Sequence, residues 1–171
     1  TIAEIGALGR LAIYFSIFQA FILNYSLPKL AKSQAKSAIL LQARQILLLS
    51  IAVITPILLW AIVHPGSLLW ILGSNYSNLQ PVLFGFLLVS ALGQLAAICY
   101  QVCAAKAWIQ LNRYYVQIAV PIQIGLIYIL DLSQLSAVVL FLGVNNSFFL
   151  LYNLVMFYHA YRRYSEAPEF K

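Results

Sequence analysis

Five long apolar stretches fill most of these 171 residues, separated by short polar joints: Ile2–Leu27, Ala38–Val63, Pro81–Ala105, Tyr114–Leu130 and Leu135–Tyr158. A helix needs roughly 20 apolar residues to cross the ~30 Å hydrocarbon core of a bilayer. Four of the stretches exceed that length, and Tyr114–Leu130 reaches the lower end of the range. The solvent of such a chain is lipid. The expected fold is all-α, a polytopic bundle of five transmembrane helices. Residues 1–164 form one helical domain and 165–171 a short, polar, disordered cytoplasmic tail.

Hydrophobic residues make up 63% of the sequence and charged ones 8%, against about 25% charged in soluble domains. A water-soluble fold with so little charge would expose aggregating patches, which excludes that class. The net charge of +6 does not point to nucleic acid, because of where the basic residues lie. Lys29, Lys32, Lys36 and Arg44 flank one joint, Lys106 and Arg113 another, and Arg162 and Arg163 follow the last apolar stretch. The joints His64–Gln80 and Asp131–Gln134 hold no Lys or Arg. That alternation is the positive-inside pattern, with basic joints on the cytoplasmic side, partly held by anionic headgroups. It predicts an outside amino end and a cytoplasmic carboxyl end in the cell's inner (plasma) membrane. An exported start at Thr1, an odd number of crossings and no signal peptide predict a preceding portion of a larger membrane protein.

The first stretch opens Ile2-Ala3-Glu4-Ile5-Gly6-Ala7-Leu8-Gly9-Arg10, whose small residues predict close approach of another helix. Leu27-Pro28-Lys29 predicts its end, since proline lacks an N–H and clashes with the preceding turn. Lys29–Ala38 then reads as a basic cytoplasmic link, helical and lying at the interface. Pro56 and Pro121 predict kinks inside the second and fourth crossings. His64–Gln80 is the longest outside joint. Trp60, Trp70, Trp108 and the set Tyr158, Tyr161, Tyr164 fall near interfaces as an aromatic belt. Cys99 and Cys103 share a helical face without the further ligands a zinc site needs, so packing is their expected role. Asn24-Tyr25-Ser26, Asn75-Tyr76-Ser77 and Asn145-Asn146-Ser147 match the glycosylation sequon; two lie within or at the edge of crossings, and the match is read as chance.

Arg10 needs explaining. It lies roughly two turns into the first crossing, where an arginine at mid-bilayer costs at least about 2.5–3.5 kcal/mol on insertion scales. Its face continues through Tyr14, Ile17, Phe21 and Asn24 at near-helical spacing, and Glu4 lies off that face. One reading is a guanidinium lining a wet cavity and offering a planar fork to phosphate. The other is an arginine near the outer end of a long helix, snorkelling to headgroups. Further polar stripes comprise Ser90, Gln94 and Gln101 on the third crossing, and Asn146 and Asn153, with Asn145 and Tyr152 adjacent, on the fifth. Gln42 and Gln45 sit beside Arg44 at the cytoplasmic end of the second. Taken singly, such amides read as interhelical glue worth about 0.6 kcal/mol; taken together they point to a hydrated interior. The cavity-lining, substrate-contacting candidates are Arg10, Tyr14, Asn24, Gln94, Gln101, Asn146 and Asn153.

No Gly-rich phosphate loop, HExxH, paired carboxylate or GxSxG element occurs, and the acids Glu4, Asp131, Glu166 and Glu169 are scattered. Neither an enzyme nor a metal or cofactor protein is expected. Active transport by such a chain would run on an ion gradient or on substrate concentration.

Three short pieces carry a family resemblance. Ile5-Gly6-Ala7-Leu8-Gly9-Arg10-Leu11 resembles a helix start of the form vG-x-y-x-x-A-x-R-l, Leu27-Pro28-Lys29-Leu30-Ala31 a helix close l-P-x-l-s/a, and Ile71-Leu72-Gly73-Ser74-Asn75-Tyr76 an outside l-f-G-x-x-Y. Gly9 stands where that pattern has Ala, and Leu72 where it has Phe. The chain thus resembles the carboxyl-terminal portion of polysaccharide (O-antigen) flippases, the Wzx-type branch of the MATE-like multidrug/oligosaccharidyl-lipid/polysaccharide (MOP) exporter superfamily. The resemblance implies the last five of twelve helices, one partial lobe of a two-lobe protein working by alternating access. It further implies a polyprenyl-diphosphate-linked oligosaccharide as cargo, with Arg10 facing the central cavity near the diphosphate. The implied partners are membrane lipids, the lipid-linked saccharide and the amino-terminal lobe of the same protein. Two other roles are a multidrug or organic-cation exporter, disfavoured because these helices hold no central acid, and a non-transporting membrane scaffold subunit.

Overall fold

A computed structural model describes residues 2–164, side chains at 2, 74, 75 and 77 excepted, so the tail at 165–171 and the side chains that frame the Asn75 sequon lie outside the described residues. Among the described residues every regular element is helical: α1 (Ile2–Lys32), α2 (Lys36–Val63), α3 (Pro65–Leu72), a 3-10 helix (Ser74–Leu79), α4 (Gln80–Ala105), α5 (Asn112–Ile129) and α6 (Leu135–Arg163). Four of them, Ala3–Lys32, Lys36–Val63, Gln80–Ala105 and Leu135–Arg163, are long and apolar enough to cross a membrane. α5, expected as the fifth crossing, is not among them. It has 18 residues, and Asn112, Arg113, Gln117 and Gln123 dilute its apolar character.

The packing is inside-out with respect to water. The most apolar window of α2 has a mean hydropathy of 2.8, yet 22% of it is buried, and none of the corresponding window of α6 is. Ile17, Phe21, Ile62, Ile129 and Leu151 all stand more exposed than buried. A helix apolar all round, packed along only one stripe, is a helix whose other neighbours are hydrocarbon. The protein is membrane-embedded.

α4 is the hub, packing against α1, α2 and α6, whereas α5 leans on α6. Two apolar clusters fill the bundle. One gathers Leu8, Leu11 and Phe15 of α1, Ile54 and Ala61 of α2, Leu69 of α3 and Leu83, Phe86 and Leu87 of α4. The other gathers Ile22, Leu23, Leu30, Ile39, Ala43, Ile46, Ile98 and Val102 at the opposite end.

That second end collects both basic joints and the basic last turn of α6. Lys106 donates to the carbonyls of Ala31 (3.3 Å) and Ser33, and its partial burial lowers its pKa. Tyr164 donates to Gln34 O at 2.9 Å, Lys36 reaches Tyr164 O at 3.4 Å, and Trp108 packs on Phe157 and Tyr164. The grouping that the charge pattern predicts is therefore realised in space: the basic joints share one end. At the other end Asn78 reaches Glu4 at 3.5 Å. In the joint between α5 and α6, Asp131 accepts from the Ser133 hydroxyl (2.7 Å) and backbone N–H (3.1 Å), bonds that hold its carboxyl below the usual range.

Several local expectations are corrected. Pro28 does not end α1, which continues to Lys32. Proline removes one N–H, but Leu30 is fully buried in the last turn of the helix, and Ser33 closes that end through its N–H and hydroxyl on Lys29 O. The basic link is helical as expected but is no separate segment: its lysines close α1 and open α2, and residues 33–35 between them carry no charge. The joint at 64–80 is itself helical: Pro65 opens α3 at a position where its missing N–H costs nothing, and Gly73 ends α3 at φ +112°, a backbone that side chains with a Cβ resist. Pro56 and Pro121 lie inside α2 and α5, as expected. Gly6 and Gly9, expected to admit a neighbouring helix, meet nothing within 4 Å. Close approach occurs instead between α4 and α6, where a Cβ on Gly93 would lie 2.8 Å from Asn146 Nδ2 and one on Gly143 3.2 Å from Val89.

Candidate functional site

Along α1, the stripe Arg10, Tyr14, Ile17, Phe21 and Asn24 is exposed throughout. It is the face that α1 turns away from α2 and α4. Arg10 and Tyr14 share a hollow of about 330 Å³, walled by Leu11, Ile13 and Ile17 of α1 and by Ile71 and Leu72 of α3. Among the described residues no hydrogen bond or ion pair engages the Arg10 guanidinium. An unengaged guanidinium beside apolar walls calls for an anion or for water, since its five N–H donors fork toward planar oxyanions. Residues Ile71 and Leu72 were not expected beside Arg10, because a joint at 64–80 does not by itself reveal the helix that brings them back beside α1.

The other candidates do not join this hollow. Gln94 of α4 donates to Ser16 Oγ of α1 at 3.1 Å, a strap between the two helices. Gln101 is exposed on α4. Asn146 of α6 donates to Val89 O of α4 at 2.9 Å. Asn153, 1% exposed, donates to Phe149 O at 2.8 Å within its own helix and to Ala96 O of α4 at 3.4 Å. Each interhelical bond joins residues 57 apart, so α4 and α6 run parallel in constant register and the two asparagines, seven positions apart, address carbonyls seven positions apart. Neither asparagine lines a wet chamber. The middle of the α1–α2–α4 packing leaves a crevice of about 10 Å³, room for one water at most. The hydrated interior expected from the polar stripes is replaced by seams: Ser90 and Asn145 bond carbonyls of their own helices, and the amides bridge neighbours.

Cys99 and Cys103 are buried and unpaired, and no group of three potential metal ligands occurs among the described residues.

Comparison with family models, curated proteins and solved structures finds no match to this chain.

Proposed function

We propose that the chain belongs to a membrane flippase that moves a polyprenyl-diphosphate-linked oligosaccharide from the cytoplasmic to the outer leaflet for cell-surface polysaccharide export. The observation that carries this reading is the hollow at Arg10. Two of the three sequence pieces that resemble the family, at residues 5–11 and 71–76, converge there: Arg10 and Leu11 form one wall, Ile71 and Leu72 the other. The face is uncovered, cationic and free of acids, the chemistry a diphosphate needs and an organic cation does not.

In this mechanism Arg10 neutralises diphosphate as the cavity alternates between the two sides, and Tyr14 and Asn24 contact sugar hydroxyls along the same stripe. A companion lobe would close the cavity over the exposed face of α1. In this reading α5 is the fifth crossing, which the parallel course of α4 and α6 supports, since both finish at the basic end and α5 lies between them in sequence. Its 18 residues reach about 27 Å as a helix. The basic end is cytoplasmic by the positive-inside rule, placing the carboxyl end inside the cell in a multi-pass plasma-membrane protein.

The test is Arg10→Ala in the intact protein, read as surface polysaccharide at matched protein level. Export falls about tenfold or more, the loss expected for a charge-assisted contact, and Arg10→Lys restores part of it. Full export by Arg10→Ala at normal protein level overturns the proposal. That outcome would favour a second reading, a non-transporting scaffold subunit, which the use of Gln94, Asn146 and Asn153 as interhelical bridges supports.

A further inference from the structure

Between α2 and α6, helices that flank α4, lies a slot of about 420 Å³. Ala43 of α2, Cys99 and Val102 of α4, and Leu154 and Phe157 of α6 make its lining, which exposes no polar surface. Arg44 is the one charged residue in that lining. It is exposed, and no hydrogen bond or ion pair engages it among the described residues. Arg44 sits eight residues from the start of α2, about 12 Å along the helix from its basic end. Among the described residues the surroundings there are cationic: Lys36, Lys106, Arg162 and Arg163 belong to the same end, while the described acids, Glu4 and Asp131, lie at the other.

We propose that this slot seats one acyl chain of an anionic diacyl phospholipid whose phosphate pairs with Arg44. The shape fits a chain, because a slot whose lining is apolar apart from Arg44 offers too few hydrogen bonds to hold a sugar or a peptide. The charge selects the headgroup: a guanidinium fork matches a phosphate oxyanion pair, and each basic residue near an anionic leaflet contributes attraction. A phospholipid rather than a transported substrate is the occupant because the slot opens sideways on the apolar outer surface of the bundle, remote from the Arg10 hollow and at the opposite end. The inference rests on the membrane-embedded packing alone and stands or falls separately from the flippase reading.

Trp108 is the natural reporter, since its ring lies 5.7 Å from that of Phe157, which lines the slot. The intact protein carrying Trp60→Phe and Trp70→Phe is placed in nanodiscs, and Trp108 fluorescence is quenched with phosphatidylglycerol or phosphatidylcholine brominated in its chains. Phosphatidylglycerol binds about fivefold more tightly than phosphatidylcholine, the preference expected from one basic residue near the surface. Arg44→Gln abolishes that preference. Leu154→Phe, on an exposed position of α6, narrows the slot and weakens quenching by both lipids. Equal quenching by the two lipids in the parent protein, or a preference that survives Arg44→Gln, overturns the proposal. So does displacement of the brominated lipid by equimolar polyprenyl phosphate but not by unbrominated phosphatidylglycerol, which assigns the slot to an isoprenoid carrier.

Discussion

Two regions of this molecule hold the same kinds of polar side chain and use them in opposite ways. At the seam between α4 and α6, Asn146 and Asn153 point at backbone carbonyls of the neighbouring helix. On the outer face of α1, Arg10, Tyr14 and Asn24 are exposed, and Arg10 and Tyr14 meet only the apolar wall that α3 supplies. The difference is set by what lies opposite. Gly93 and Gly143 let α4 and α6 come close enough for an amide to reach a carbonyl. Gly6 and Gly9 open onto space. In hydrocarbon a polar side chain either finds a protein partner or keeps an aqueous or anionic one, so the seam reads as architecture and the α1 face as a working surface.

The sharpest way to break that contrast is to close the seam's opening. A side chain at position 93 would start 2.8 Å from Asn146 Nδ2, so Gly93→Leu displaces the amide, ends its bond to Val89 and pushes the helices apart. Overpacking plus a lost interhelical bond costs about 3 kcal/mol, measured as resistance to unfolding in mixed micelles. A loss below that of the asparagine substitutions would show that the helices are not in tight register here.

The two asparagines sharpen the comparison, because they are not equivalent. Asn146 makes a direct interhelical bond of 2.9 Å. Asn153 makes a longer one, and its buried Oδ1 has no partner among the described residues. Replacing both polar atoms with an apolar group of similar shape also removes an unsatisfied acceptor, which offsets the lost bond. Asn146→Leu therefore costs about 1 kcal/mol, while Asn153→Leu stays within about 0.5 kcal/mol of the parent. The same unfolding assay ranks them, and the reverse order would mean that Asn153 carries the seam.

Much of this was readable from the chain. The four long helices follow from apolar runs that lipid forces to satisfy their own backbone, and the stripe from Arg10 to Asn24 follows from helical spacing alone. What could not be read is rotation and partner choice. Nothing in Gly6, Gly9, Gly93 or Gly143 taken singly says which pair faces a neighbour, so the small residues of α1 looked like a docking face and those of α4 were passed over. The seven-residue spacing of Asn146 and Asn153 was visible, but its match to Val89 and Ala96 depends on the parallel register of α4 and α6. The stretch 64–80 was opaque for a different reason: Pro65 and Gly73 look like loop-formers, yet they bound α3, one as a helix start and the other as a stop. That also hid the wall opposite Arg10.

A site in neither region serves as a control of opposite sign. α4 ends in a Schellman turn, in which Trp108 N–H bonds Cys103 O and Ala107 N–H bonds Ala104 O. The residue that must turn left-handed is Ala107, at φ 56°, where glycine is the usual choice. Ala107 is exposed, so its methyl contributes little packing. Ala107→Gly relieves the steric penalty and raises stability by about 0.5–1 kcal/mol. A drop in stability would place the turn's left-handed residue elsewhere.

The smallest effect belongs to the α1 face and decides what that face is for. Arg10 is exposed, lies beside apolar walls and has no described partner, so the folded bundle has nothing to lose when the guanidinium is removed. Arg10→Leu keeps the unfolding free energy within about 0.5 kcal/mol of the parent, as for a surface position outside any network, and it eases rather than hinders insertion of α1. Asn146→Leu, an exchange of the same chemical kind one seam away, exceeds it. The pair is best measured in one preparation, because the prediction is the inequality and not either value. If Arg10→Leu destabilises as much as Asn146→Leu, the arginine is bonded inside the bundle, the two regions are alike, and the α1 face loses its claim to bind an anion.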